Sequence, residues 1–302
     1  MTDPVTIAQQ QPDPHATGPV MPGFKHVILD VDALSDWPDA LHDIYCRRLD
    51  LMVVRGLFPA EQLARAVQAL DAEPIGPQWI LQETRDPKQV QMRLMGESLT
   101  PNTGFPDGPD MDHYFASAAH VRARARELFA PGPLFEPTVQ DCLTRLAGGR
   151  AVSVPTWPDG RSYTPATIRS LPPGCQIPVH VGNYFLGTGG YRHLATQVAL
   201  EDQLSYFLTL QAPQAGGALE VYSLEWKDPA TPWLPEHGIW DGPAITARYP
   251  ALRFTPQAGD LLLFDGGRYY HKVTRVEGTR TRWTMGGFAG FSRDMQHVYY
   301  WN

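Results

Sequence analysis

Cysteine is scarce. Cys46, Cys142 and Cys175 cannot all pair, and their spacing fits no zinc-ligating pattern. A disulfide framework and a structural zinc site are both excluded as organising devices. Cys142 lies on the apolar side of an expected helix, which makes it a buried structural thiol. Dense Lys/Arg blocks are missing as well, and the formal net charge is −7, so nucleic acid is not the expected partner. Arg122, Arg124 and Arg126 alternate with alanines along a helical stretch and read as a solvated face. No apolar run approaches the ~20 residues that span a bilayer, and no basic region precedes a hydrophobic segment at the N-terminus. The expectation is a soluble cytoplasmic protein with reduced thiols and no membrane partner.

What the chain does have is 43% hydrophobic residues over 302 positions, enough for a substantial core. Residues 1–23 are rich in Pro, Gln, Ala and Asp and are expected to form a disordered tail. Residues 24–302 are expected to form one domain. Its first half carries helices after Pro59, from about Met111 to Phe129 and from about Leu134 to Leu146, while Gln78 to Pro109 reads as irregular. From Ala151 onward the pattern changes to short apolar runs punctuated by Pro and Gly. Among them are 167–171, 177–181, 205–210, 219–223, 261–264, 270–275 and 282–291. Such runs point to a sandwich or barrel, with the helices buttressing one sheet.

Within these strands lies a pattern with chemical meaning. His180-Val181-Gly182-Asn183 is followed far downstream by Gly259-Asp260 through His271, and then by Arg282-Trp283-Thr284. A His-x-Asp/Glu pair, a distant second His and a later Arg is how non-haem Fe(II) oxygenases hold iron on one face. Here His180 and His271 are the candidate metal ligands, and Gly182 stands where the carboxylate would be. A glycine leaves space for an exogenous anion, and halide conserves the charge that the carboxylate brought. Two alternatives stay open: Gly182 as a simple strand bulge, and a carboxylate such as Glu220 reaching in from a neighbouring strand.

The segments Tyr163–Arg169, His180–Asn183, Asp202–Phe207, Pro213–Trp226, Gly259–His271 and Tyr299–Trp301 resemble the carrier-protein-independent Fe(II)/2-oxoglutarate halogenases of hapalindole- and welwitindolinone-type alkaloids. The resemblance runs from about His26 to Asn302 and is denser in the second half. It implies a mainly β fold with flanking helices, a double-stranded β-helix or jelly roll of the Fe(II)/2-oxoglutarate oxygenase type. The cofactors it implies are Fe(II), 2-oxoglutarate, chloride and O2. It assigns Arg282 and Thr284 to the C5 carboxylate of 2-oxoglutarate, with Arg169 as a further contact. Ser205 matches a serine that hydrogen-bonds the oxygen ligand, although a strand serine satisfying backbone groups is the competing reading. Asn183 would brace the site. Ile177 and Phe185 flank the first histidine, and Val90 to Met95 corresponds to a substrate-lining segment. That segment departs from the alkaloid halogenases, so a hydrophobic polyketide or macrocycle stands beside an alkaloid as the free-standing substrate. No carrier protein is expected. The rival enzyme reading is a 2-oxoglutarate-dependent hydroxylase, and the rival outside catalysis is a small-molecule binder that has lost its iron.

Overall fold

The structure, a computed structural model, describes residues 23–81, 92–100, 109–236 and 238–302. The expected tail, apart from Gly23, lies outside the described residues, and so does Val90. The strands are β1 His26–Asp30, β2 Leu51–Arg55, β3 Trp79–Leu81, β4 Arg93–Met95, β5 Ala151–Ser153, β6 Thr167–Leu171, β7 Ile177–His180, β8 Leu204–Gln211, β9 Ala215–Gly216, β10 Leu219–Glu225, β11 Trp233–Leu234, β12 Ile239–Trp240, β13 Ala251–Phe254, β14 Leu261–Phe264, β15 Tyr269–Val273, β16 Val276–Glu277, β17 Arg282–Phe291 and β18 His297–Trp301. The helices are α1 Ala40–Tyr45, α2 Ala60–Ala72, α3 Met111–Phe129, α4 Phe135–Arg145 and α5 Gly242–Arg248.

A ten-stranded sheet runs β1-β2-β14-β8-β17-β6-β4-β3, with β18 and β5 branching from β17. A four-stranded sheet, β13-β10-β15-β7, packs against one of its faces. This is a jelly roll in its double-stranded β-helix form, mainly β, with helices against the other face of the large sheet. The two sheets stay separate and do not close into a barrel.

Strand β14 shows why the sequence folds this way. Its Leu261-Leu262-Leu263-Phe264 is buried on both sides, and successive side chains point to opposite faces. Leu261 and Leu263 enter the core shared with the helices, where Leu63, Val67 and Leu70 of α2 and Val139 and Cys142 of α4 meet them. Leu262 and Phe264 enter the layer between the sheets with Leu219, Val221 and Phe254. A strand covered on both faces needs a continuous apolar run rather than alternation, and β14 has one. The helix faces follow from spacing: Leu63, Ala66, Val67 and Leu70 recur at three and four residues along α2 and are all buried. Asp110 caps α3 by accepting from the His113 N–H at 2.9 Å. Cys142 is buried as expected, and burial pushes its thiol up to about 12.

Two expectations are corrected. The stretch after Gln78 is not wholly irregular, because β3 and β4 extend the large sheet beyond β6. Three-residue strands carry too few residues to show a period, and they form here on the edge that β6 offers. Arg122 and Arg124 do not form a solvated face. Arg122 bonds Glu136 and two backbone carbonyls, and Arg124 bonds Glu73 and Glu127, with both guanidinium groups mostly covered. Among the described residues no helix is long and apolar enough to cross a membrane.

Candidate active site

β15 runs antiparallel to β7 with His271 directly opposite His180. Their rings lie 4.0 Å apart between centroids, tilted by 53°. Each Nδ1 faces a carbonyl two residues back in the chain, Pro178 at 2.8 Å for His180 and Tyr269 at 2.9 Å for His271. A carbonyl only accepts, so both Nδ1 atoms carry the proton and both Nε2 lone pairs are left for a metal. Part of His180 stays accessible to solvent, and His271 is buried. Desolvation lowers His180 to about 4 and takes His271 well below its ordinary range, with the neighbouring His180 adding to the second effect. Two neutral, pre-oriented imidazoles suit Fe(II).

The corner beside them is built by backbone. The Gly182 N–H donates to Gly266 O and the Asn183 N–H to Gly267 O, both at 2.9 Å. Asn183 donates its amide to Asp202 Oδ1 at 2.8 Å and accepts from the Gln203 N–H at 3.2 Å. Arg268 is clamped between Asp202 and Asp265, so the turn before His271 is tied to the segment entering β8. Burial raises both carboxyls, and the charge of Asp202 adds to the rise at Asp265. A side chain at Gly267 would collide with Gln203 O and Asn183 Oδ1, and one at Gly266 with the Ser205 hydroxyl, so close packing demands both glycines. A Cβ at Gly182 would meet Gln203 Nε2 at 2.9 Å, Gly266 O at 3.0 Å and Gly267 Cα at 3.1 Å. Position 182 itself thus carries no carboxylate, and its nearest surroundings are an amide and a turn of glycines.

Across the layer, the large sheet presents cations. Thr284 of β17 sits opposite Arg169 of β6 and Thr209 of β8, and Arg282 follows on the same face two residues before Thr284. Arg282 and Thr284 are buried. Arg169 Nε finds no hydrogen-bond partner, and the Arg282 guanidinium lies 5.3 Å from the Phe207 ring centroid. Among the described residues no acidic group offsets their burial: desolvation lowers Arg169 to about 10, and desolvation followed by the Arg169 charge lowers Arg282 to about 9. Two adjacent buried cations without an acid are costly unless a ligand anion joins them. A dicarboxylate fits that need, with Thr284 as an additional donor. Ser205 shares this face, since it pairs with Phe288 four residues beyond Thr284.

The remaining residues divide. Ile177 packs with Leu94, Met92 and Leu171, between the sheets near the cations. Phe185 belongs to a different cluster, with Leu99, Tyr191 and Trp301. Met95 does not line this region. It is fully buried in the helix-side core, and it is Leu94, opposite Arg169, that takes the inner face. Glu220 does not reach the histidines: its carboxylate bonds Lys272 at 2.9 Å and the Tyr222 hydroxyl at 3.0 Å, and its neighbour Val221 is the residue opposite His271. Among the described residues no group of three His, Cys, Asp or Glu side chains gathers into a metal cage. A cavity of about 530 Å³ lined by Arg122, Phe135, Glu136, Gln140 and Met285 lies on the helix side and includes none of these site residues. Asp202, Gln203, Asp265, Gly266, Gly267 and Arg268 were not singled out from the sequence. The local signals for them were the Gly266-Gly267 pair, five and four residues before His271, and their place in the Asp202–Phe207 and Gly259–His271 strings.

The fold is that of the Fe(II)/2-oxoglutarate oxygenases. A family profile described as the carrier-protein-independent halogenase WelO5 matches residues 23–302, and the chain belongs to that family. It is therefore a non-haem iron, 2-oxoglutarate-dependent oxidoreductase. A search of curated protein sequences found no match. Similar solved structures include an N-substituted L-amino acid dioxygenase from Burkholderia ambifaria, 18% identical, covering 86% of this chain and 90% of that one at a TM-score of 0.48. A prolyl-4-hydroxylase from Pseudomonas putida is 16% identical and covers 84% and 97% at 0.39. HygX from Streptomyces hygroscopicus, solved with nickel and 2-oxoglutarate, is 14% identical and covers 86% and 94% at 0.42.

Proposed function

We propose that this protein is an aliphatic halogenase that chlorinates an unactivated sp3 carbon of a free-standing hydrophobic natural product, an alkaloid or a polyketide. The observation that carries the reading is Gly182: it stands beside two paired imidazoles where the oxygenase pattern has a carboxylate, and no other acid replaces it among the described residues. His180 and His271 would hold Fe(II), and the corner at Gly182 would admit chloride. Arg282, Thr284 and Arg169 would bind 2-oxoglutarate through its distal carboxylate. With its co-substrates bound, the iron centre supplies the oxidising power for hydrogen abstraction from carbon, consuming O2 and releasing succinate and CO2.

The chain's own residues orient the reaction. The Nδ1 bonds fix both imidazoles, the Asp202–Arg268–Asp265 clamp fixes the turn against Gly182, and Ser205 holds a hydroxyl on the inner face. Ile177 and Leu94 offer an apolar wall, which favours a hydrophobic substrate and excludes water from the reacting carbon. Family membership supports a substrate presented without a carrier protein. Residues 24–302 are proposed to act as one domain, a reading supported by a helix-side core that draws side chains from Val27 to Tyr300.

Candidate scaffolds incubated with protein, Fe(II), 2-oxoglutarate and chloride test the assignment by product mass. The expected product carries the two-isotope signature of chlorine, moves to the bromine signature when bromide replaces chloride, and forms with stoichiometric succinate. A product that gains only oxygen in saturating chloride contradicts the halogenase reading and favours the hydroxylase.

A further inference from the structure

We infer that the Gln203 carboxamide donates a hydrogen bond to the anion held at the Gly182 corner, and so acts as a positioning residue for halide. The inference deepens the proposed function and rests on its halide site.

Gln203 is completely buried, and neither end of its amide finds a hydrogen-bond partner. An amide removed from water with both ends unbonded is unfavourable, and such groups in folded proteins mark a missing ligand or a catalytic role. Its position is not adjustable at the backbone, because its N–H is bonded to Asn183 Oδ1. Of the atoms around the absent Gly182 side chain, its Nε2 is the nearest, at 2.9 Å from where a Cβ would stand. Gln203 lies immediately before β8, two residues ahead of Ser205.

Behind the amide stand two more buried polar groups without a partner at bonding distance, the Tyr191 hydroxyl and the Trp301 indole N–H. Both face the same region, since N–H groups of Trp301 and Gln203 directed at the Tyr191 oxygen lower its hydroxyl against the larger rise that burial causes. The indole only donates. It can donate to the Tyr191 oxygen, and so can one N–H of the Gln203 amide, since both contacts lower the hydroxyl. Nε2 carries two N–H groups, so one can serve Tyr191 while the other points to the corner. An N–H aimed at the corner suits an anion rather than a cation or a second donor. A carboxylate at position 182 would have contested this space, so the glycine and the buried amide act together.

The test is an anaerobic chloride titration of protein loaded with Fe(II) and 2-oxoglutarate, read by the shift of the visible iron-to-2-oxoglutarate charge-transfer band. It needs no substrate and no turnover. Wild type is expected to give a saturable shift. Gln203→Met, close in volume but without donors, is expected to weaken chloride about tenfold or more while Fe(II) and 2-oxoglutarate affinities stay within about twofold. Tyr191→Phe, which leaves the amide in place but removes the hydroxyl that fixes its orientation, is expected to weaken chloride by a smaller factor, and it decides the matter if Gln203→Met does not fold. An unchanged chloride affinity in whichever variant is folded overturns the role of Gln203 and leaves the halide site standing. Parallel loss of chloride, Fe(II) and 2-oxoglutarate affinity also overturns it, as general damage to the site. No chloride-dependent shift in wild type removes the halide site and this inference with it.

Discussion

Gly182→Asp is expected to lower chloride affinity at least ~100-fold while raising affinity for Fe(II), because a carboxylate takes the position that halide would fill. The two ligands carry the same charge, so the change is one of occupancy rather than of electrostatics. The local geometry sets the structural cost. The added Cβ meets the end of the Gln203 side chain at 2.9 Å, which can rotate away, but also Gly266 O at 3.0 Å and Gly267 Cα at 3.1 Å, which must yield by a few tenths of an ångström. A modest fall in thermal stability is therefore expected alongside the ligand exchange. The anaerobic chloride titration and a competition assay for Fe(II) check both halves. Gly182→Ala separates them, since it brings the crowding without the ligand. It should lose some stability and chloride affinity and gain nothing for iron.

Arg282→Leu is expected to raise the KM for 2-oxoglutarate on the order of 100-fold, since it strips a buried charged donor from the distal carboxylate. The same change is expected to raise the melting temperature of the cofactor-free protein. Arg282 is buried beside Arg169 with no acid among the described residues to offset either charge, and burial has already lowered it to about 9. Replacing such a cation with an apolar side chain removes desolvation cost and like-charge repulsion together. Stability gained with binding lost is the signature of a group retained for function rather than for folding. A structural role for Arg282 would give the opposite result, a lower melting temperature with little change in KM. Thermal melts without cofactors, together with succinate formation across 2-oxoglutarate concentrations, measure the two effects.

Much of this site was legible because chemistry had left its pattern in short strings. His180, His271, Arg282 and Thr284 fall within apolar strand segments, where a polar residue is conspicuous, and the two-residue period places Arg282 and Thr284 on one face without a structure. The strands around them were legible for the same reason, as β6, β14 and β17 match the apolar runs residue for residue. What stayed hidden depends on packing between distant segments. Gln203 reads as an ordinary polar residue near a strand until Gly182, Tyr191 and Trp301 surround it. The Asp202–Arg268–Asp265 clamp joins two segments more than sixty residues apart, and nothing in either announces the other. Met95 was assigned to the wrong side because a three-residue strand shows no period, and a shift of one residue exchanges the faces. Leu94, its neighbour, holds the place expected of it.

The account turns on whether a free halide enters the corner at Gly182. The most direct measurement is anomalous diffraction at the bromine edge from crystals grown with Fe(II), 2-oxoglutarate and bromide under anaerobic conditions. The predicted result is a single strong peak bonded to the metal between His180 and His271, on the side of Gly182 and within hydrogen-bonding reach of Gln203. A protein carboxylate oxygen or a water at that coordination position, with bromide absent, would contradict it.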